Sequence, residues 1–128
     1  MSQENVEVIR ELWDAYARGD FDHVLTLCDP HVVLVSLEEG ALYGEDAVRS
    51  NYERWIEAWD APQITVEEIF GAGDQVFVMA RFRARGRASG ASVDSRLYEV
   101  YSLRNRKLIR VDEFGERASA LEAAGLSE

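Results

Sequence analysis

The sequence is poor in cysteine and proline, and it contains no apolar run long enough to cross a membrane. Its single cysteine, Cys28, has no partner for an internal disulfide, and a lone thiol is typical of a reducing compartment. Residues 1–5 are polar and lack the charged and then apolar segments of a signal peptide. We therefore expect a soluble cytoplasmic protein with no membrane partner.

Positive charge is also scarce, because 14 Lys and Arg residues stand against 24 Asp and Glu residues, for a net charge of −10. A nucleic-acid partner would require a basic face. His23 and His31 have no companions at metal-ligand spacing, and the sequence contains no phosphate loop, dinucleotide fingerprint or serine elbow. We therefore predict no nucleic-acid partner, no metal and no cofactor.

The order of the predicted elements is more informative. With 128 residues, of which 47% are apolar, the chain is expected to form a single domain over residues 1–128. Helical periodicity dominates the first sixty residues, and long alternating strands follow. This order predicts an α+β fold, in which a curved antiparallel sheet wraps around helices and encloses a pocket.

The helical part divides into three predicted helices. The first has an apolar face, Gly19 ends it, and Asp20 caps a second helix that Pro30 ends. Residues 31–37 are predicted as a buried strand, and a third helix opens at Gly44 and closes before Pro62. The inward residues of the three helices are Val6, Ile9, Leu12, Trp13 and Tyr16; Val24, Leu25, Leu27 and Cys28; and Ala47, Val48, Tyr52, Trp55, Ile56 and Trp59.

The second half predicts strands over residues 64–70, 74–88, 92–104 and 107–114, and then a helix over residues 117–124. In the second of these strands the even positions are apolar, whereas the odd positions end in four arginines that we expect to pair with acidic residues outside. The outer sheet face also carries apolar residues, which predict a two-fold homodimer through this face. Those residues are Phe77, Met79, Tyr98 and Val100.

The register of the last hairpin decides which acidic residues meet. A two-residue turn would place Glu99 on the same face as Asp112, whereas a three-residue loop would place Glu99 with Glu113. The apolar pattern favours the second register and sends Arg110 and Asp112 outward. It also gathers the following residues inside: Leu97, Tyr101, Leu103, Ile109 and Val111.

Four stretches of the sequence stand in a recognisable order: Arg18-Gly19-Asp20-Phe21-Asp22, Asp29-Pro30-His31-Val32-Val33, Tyr43-Gly44-Glu45-Asp46-Ala47-Val48 and Leu103-Arg104-Asn105-Arg106-Lys107-Leu108-Ile109. With them the chain resembles the SnoaL-like group of the nuclear transport factor 2-like superfamily, and its ending Ala120-Leu121-Glu122-Ala123-Ala124-Gly125-Leu126 resembles the terminal helix of actinobacterial members. The resemblance implies a cone-shaped fold with a pocket, usually dimeric, which serves isomerases, cyclases and hydrolases.

The same resemblance implies roles for single positions. Ser36 stands where ketosteroid isomerases have their aspartate base, and Leu12 stands at the oxyanion tyrosine, with Tyr16 one turn further along. Tyr52 matches a supporting tyrosine, and Glu99 matches the oxyanion acid. The resemblance therefore implies an isomerase-like site that retains its acid and lacks the usual base. Asn105-Arg106 replaces the Asp-Gly that is usual in the last hairpin, which is unfavourable for left-handed backbone.

The residues themselves predict carboxyl chemistry. Burial and mutual repulsion raise the pKa of paired carboxyls, so Glu99 and Glu113 are the candidate acid and base, with Tyr16 and Tyr52 as hydrogen-bond donors. The alternative is that these glutamates are solvated or ion-paired. The predicted ligand-binding wall, for a small apolar ligand, consists of Trp13, Trp55, Trp59, Tyr101, Phe82, Leu97 and Val111, although single aromatics more often only fill a core. Both an enzyme and a non-catalytic binding or dimeric interaction module remain open.

Overall fold

The structure, a computed structural model, describes residues 2 to 126 and contains four helices and one six-stranded sheet within them. The helices are α1 (Ser2–Ala17), α2 (Phe21–Thr26), α3 (Glu45–Glu57) and α4 (Arg117–Ala123). The strands are β1 (Cys28–Ser36), β2 (Gly40–Tyr43), β3 (Trp59–Ala72), β4 (Gln75–Gly86), β5 (Ser92–Arg104) and β6 (Lys107–Phe114).

The strands lie in the order β2-β1-β6-β5-β4-β3, which confirms the predicted α+β class with one correction to the sheet. Four neighbouring pairs are antiparallel, but β1 and β6 are parallel. A parallel pair needs a long connection. The whole segment from β2 to β5 supplies that connection and brings the last strand beside the first.

Two residues assigned to helices belong to strands. Asp20 caps α2 as predicted, accepting a hydrogen bond from the backbone N–H of His23, but α2 ends at Thr26 and Cys28 begins β1. Trp59 likewise begins β3. Neither proline stops its segment, because Pro30 and Pro62 both lie where the strand pairing shifts register and no regular ladder N–H is required.

The main core lies between the sheet and the helices α1, α2 and α3. The even positions of β4 face it, as predicted, and Val76, Val78 and Ala80 have no exposed surface. Trp13 is buried and Trp55 is partly buried against the same core. Helical and alternating apolar patterns therefore converge on one interior, as binary patterning requires.

The opposite face of the sheet carries a second, smaller cluster. Helix α4 places Ala120 and Leu121 against Phe77 and Val100, which are 0% and 1% exposed. The Arg117 guanidinium lies 5.3 Å from the centre of the Phe77 ring. The homodimer is predicted because apolar residues of the outer sheet face are expected to be exposed. Helix α4 of the same chain covers the centre of that face. The homodimer itself stays a prediction.

Three arginines of the outer face, Arg81, Arg87 and Arg96, pair as predicted with acids across the sheet. Arg81 makes a two-point contact with Asp94, at 2.9 and 2.7 Å. Arg96 lies 2.8 Å from Glu67. These pairs are partly exposed, so each contributes little to stability.

The last hairpin reaches the predicted register by a different route. Its turn has two residues, Asn105 and Arg106, rather than three. A register shift after Ser102 then restores the pairing of Glu99 with Glu113. The extra residue of this bulge lies at Ile109, which is only partly buried, and Leu108 takes the inward place that Ile109 was expected to hold.

Both turn residues adopt left-handed backbone, with φ of 53° at Asn105 and 63° at Arg106. This conformation suits Asn but strains a long side chain. We expect Arg106→Gly to raise the free energy of unfolding by about 0.5–1 kcal/mol. Urea denaturation would measure it, with Glu4→Gln as the control, because Arg106 also pairs with Glu4 at 2.8 Å. A less stable glycine variant would contradict the strain.

Candidate functional site

A cavity of about 140 Å³ lies between helices α1 and α3, the middle of β5 and the C-terminal ends of β1 and β6. It is close in volume to an engineered protein cavity of about 150 Å³ that binds benzene. Its wall is mainly aromatic, from Trp13, Tyr16, Tyr52, Trp55, Tyr101 and Phe114. Its polar groups come from Ser36, Glu38, Asn51, Glu99 and Glu113. The space suits a compact or single-ring ligand.

The two glutamates meet on the inner side of the last hairpin. Glu99 on β5 pairs directly across from Glu113 on β6. Glu99 is 7% exposed, whereas Glu113 is only partly buried. Residues opposite one another in antiparallel strands hold their side chains within interaction distance. The strand register thus brings together the two carboxyls that the sequence predicted as a pair.

Glu99 is the member that holds a proton. Burial, reinforced by the charge of Glu113, raises the pKa of Glu99 from 4.5 to about 8. The Tyr101 hydroxyl donates a hydrogen bond to Glu99 Oε2 at 3.2 Å, which opposes the rise only in part. A carboxylic acid with this pKa is predominantly neutral at pH 7.

Glu113 has different surroundings. Burial is again the main cause that raises its pKa, and the charge of Glu38 adds to the rise. The backbone N–H of Leu37, however, donates to Glu113 Oε1 at 3.1 Å, and the Ser36 hydroxyl supplies a second hydrogen bond, both of which favour the charged form. The two carboxyls are therefore unequally placed: burial dominates at Glu99, whereas at Glu113 hydrogen bonds from the β1–β2 turn oppose the effect of burial on the pKa.

Tyr16 and Tyr52 lie across the cavity from the glutamates. Their rings meet edge to face, with centroids 5.0 Å apart. Burial, followed by the charge of Glu99, raises the pKa of both phenols, so they remain protonated. Within residues 2 to 126 neither hydroxyl has a hydrogen-bond partner. Both are thus free to bond with a ligand.

A family model described as the SnoaL-like domain matches residues 9–111. This chain belongs to the SnoaL-like domain family. Searches with the sequence find no match among functionally curated proteins. The match runs from Ile9 on α1 to Val111 on β6, so it includes Glu99 and ends before Glu113 and helix α4. It establishes the family but not a reaction.

Solved structures show the same fold. A candidate SnoaL-like polyketide cyclase from Jannaschia sp. CCS1 superimposes with a TM-score of 0.84 at 20% identity, covering 100% of this chain and 96% of the other. A hypothetical protein with a ketosteroid isomerase-like fold from Catenulispora acidiphila DSM 44928, in complex with trimethylamine, gives 0.76 at 16% identity, with coverage of 94% and 93%. TerC, co-crystallised with polyporic acid, gives 0.77 at 16%, with coverage of 95% and 98%.

The predicted ligand-binding residues of this SnoaL-like domain divide into two groups. Trp13, Trp55, Leu97 and Tyr101 lie on the cavity wall. Three others are not among the residues that line it, and their part in ligand binding stays a prediction: Phe82, Trp59 and Val111.

The displacement of those three residues has a packing cause. Trp55 occupies the wall and covers Phe82, with ring centroids 4.4 Å apart. Trp59 begins β3 rather than extending α3, so its ring packs against Trp55 and Phe82 at 6.2 and 5.0 Å. Val111 is fully enclosed by the core. The alternation of apolar residues predicts which side chains of a strand face inward, but it does not predict which of them reach the cavity.

The sequence did not indicate the part of the site formed by the β1–β2 turn. Glu38 and Glu39 donate their backbone N–H groups to Ser36 Oγ, each at 3.2 Å. Glu39 then binds Arg54 on α3, at 2.8 and 3.0 Å. The short strand β2, where no strand was predicted, forms the other arm of this turn. The one signal in the sequence for this turn is Ser36 itself, because a serine hydroxyl often accepts hydrogen bonds from backbone N–H groups two or three residues further on.

Within the described residues no three His, Cys, Asp or Glu side chains are grouped so that they could hold a metal ion. None of the helices in residues 2 to 126 is long and apolar enough to span a membrane. Cys28 is buried, and burial raises the pKa of its thiol to about 12.

Proposed function

We propose that this SnoaL-like domain binds a small, largely apolar ligand and moves a proton on it without a cofactor, as an isomerase, cyclase or hydrolase does. The observation that carries the proposal is the unequal pair of carboxyls in one aromatic cavity. In this proposal Glu113 is the base, Glu99 is the acid, and Tyr16 and Tyr52 donate hydrogen bonds to the ligand.

The proposed reaction consists of three proton transfers that return the site to its starting state. The Glu113 carboxylate takes a proton from a carbon of the ligand, and the charge left on the ligand is stabilised by the phenols. Glu99 returns a proton to the ligand at another atom. The pair then holds one proton again, now on Glu113, and its return to Glu99 across the strand pair resets the site.

The related structures support a small ligand. One neighbour is solved with trimethylamine, one is co-crystallised with polyporic acid, and one is a candidate polyketide cyclase. Such ligands and reactions require a formed pocket but no shared chemistry. Of these, trimethylamine is the ligand whose size agrees with the cavity of about 140 Å³ here.

The test uses NMR to measure the incorporation of deuterium from D₂O into two single-ring ketones, cyclohexanone and N-methyl-4-piperidone. We expect catalysed exchange with a bell-shaped pH profile whose upper limb lies near pH 8, where Glu99 loses its proton. Exchange at the rate of buffer alone with both ketones, or a rate that rises steadily through pH 8, would contradict proton transfer by this pair.

The second candidate is a ligand-binding module without catalysis. It is favoured by Ser36, which stands where related isomerases are expected to carry their base and whose hydroxyl is committed to the turn and to Glu113. Such a module would bind the same probes without exchange. Binding of the two ketones without deuterium exchange would therefore support the non-catalytic module.

A further inference from the structure

The charge of the cavity wall is entirely of one sign. Three carboxyl residues contribute to the wall, at Glu38, Glu99 and Glu113, whereas no Lys, Arg or His of the described chain lines it. Arg54, which lies on α3 beside the wall residue Trp55, is already paired with Glu39. An anionic ligand would meet repulsion here, and a neutral ligand would bring no positive charge to balance that of Glu113.

The aromatic wall has the geometry that suits a compact cation. The Tyr16 ring lies 6.1 Å from that of Trp13 and 6.3 Å from that of Trp55, with interplanar angles of 59° and 46°. Tyr52 stands at 89° to Tyr16. Rings set at such angles form the sides of a box instead of a flat stack. Aromatic faces attract alkylammonium groups, and most strongly when water is excluded.

We propose that this cavity selects a small organic cation, a tertiary or quaternary ammonium, over a neutral or anionic ligand of the same shape. The aromatic box holds the alkyl groups and the Glu113 carboxylate balances the charge. A volume of about 140 Å³ admits an ammonium carrying short alkyl groups and excludes large ring systems. The proposal names the ligand class of the proposed function, yet it holds equally for a module that binds without catalysis.

The pH dependence of binding has a definite sign. The groups around the glutamates are Tyr16 on α1, Ser36 and Glu38 at the β1–β2 turn, Tyr52 on α3 and Tyr101 on β5. The phenols stay neutral, so the wall gains one negative charge when Glu99 ionises. Affinity for a cation should therefore rise as the pH increases through about 8, whereas affinity for a neutral hydrogen-bond acceptor should fall.

The experiment compares three ligands of nearly identical shape: choline, 3,3-dimethylbutan-1-ol and 3,3-dimethylbutanoate. Binding is followed by calorimetry and by the fluorescence of the wall tryptophans. We expect choline to bind at least about tenfold more tightly than the alcohol at neutral pH, with a further rise above pH 8, and the carboxylate to bind most weakly.

Matched variants separate the two parts of the recognition. Glu113→Gln should remove most of the preference for choline, whereas Glu7→Gln, at an exposed position of α1, should leave it unchanged. Trp55→Leu should lower the preference more than Trp59→Leu, because only Trp55 lies on the wall. The wild-type pH dependence decides the question if a variant fails to fold.

The proposal is overturned if the alcohol binds as tightly as choline, if the carboxylate binds best, or if choline fails to bind at about 10 mM. It is also overturned if choline affinity falls as the pH rises through 8. Failure of ketone exchange alone would remove the catalytic role and leave the cation preference standing, so the two results are distinguishable.

Discussion

Replacement of Glu113 by glutamine is expected to lower the rate of catalysed proton exchange by about 10²–10⁴-fold, because a positioned general base contributes that much. The amide keeps the shape of the side chain and can still contact Leu37 and Ser36, but it cannot accept the ligand's proton. The measurement is the initial rate of deuterium incorporation into N-methyl-4-piperidone, with the same protein concentration for each variant.

The control for this prediction is Glu7→Gln, which makes the same chemical change at an exposed site. It should exchange at the wild-type rate. A Glu113→Gln variant that folds and retains more than about a tenth of the wild-type rate would mean that Glu113 is not the base. Thermal denaturation of each variant separates loss of chemistry from loss of structure.

Glu99→Gln is expected to remove much of the pH dependence of stability. The folded pKa of Glu99 lies near 8, above the ordinary value of 4.5, so the folded state holds a proton that the unfolded state releases between these values. This contribution to stability is complete below about pH 4.5 and is lost as the pH rises through 8. It amounts to about 3–5 kcal/mol over that window.

Urea denaturation of wild type, Glu99→Gln and Glu7→Gln at a series of pH values would measure the difference. The wild-type free energy of unfolding should fall between about pH 5 and 9, and the Glu99→Gln curve should fall much less. At high pH the glutamine variant should be the more stable protein. Parallel curves for wild type and Glu99→Gln would contradict a buried proton on Glu99.

The sequence predicted the features that depend on repeating patterns. The helical spacing in α1 and α3 and the alternation in β4 gave the elements and the core, and the same alternation placed Glu99 with Glu113. The pairing was correct even though the turn was expected to have three residues. Inward-facing side chains fix which residues share a face, whereas a bulge can absorb an error in loop length.

Features that depend on tertiary contacts could not be predicted from the periodicity of the sequence. The outer residues Phe77 and Val100 look exposed in an alternating strand, but α4 and neighbouring side chains of the sheet cover them. The short edge strand β2 has too few residues for a period to emerge. Trp59 continues the apolar face of α3 in sequence, yet its backbone belongs to β3. In each case a contact with a distant segment overrides the local signal.

The residue types of the site could be predicted from the sequence, but the asymmetry between the pKa environments of Glu99 and Glu113 could not. Two glutamates on one face can be found from the register, but nothing local shows that Leu37 and Ser36 will donate to Glu113 and leave Glu99 as the proton carrier. That asymmetry depends on a turn more than seventy residues away in the chain. It is the feature on which the proposed chemistry rests.

The most direct test of that asymmetry is a ¹³C NMR titration of the glutamate side-chain carboxyls, with Glu99→Gln and Glu113→Gln used to assign the two signals. The structure predicts that the Glu99 signal titrates with a midpoint near pH 8 and that Glu113 ionises first. Titration of both carboxyls near their ordinary value of 4.5, or a reversed order in which Glu113 keeps its proton longer than Glu99, would contradict it.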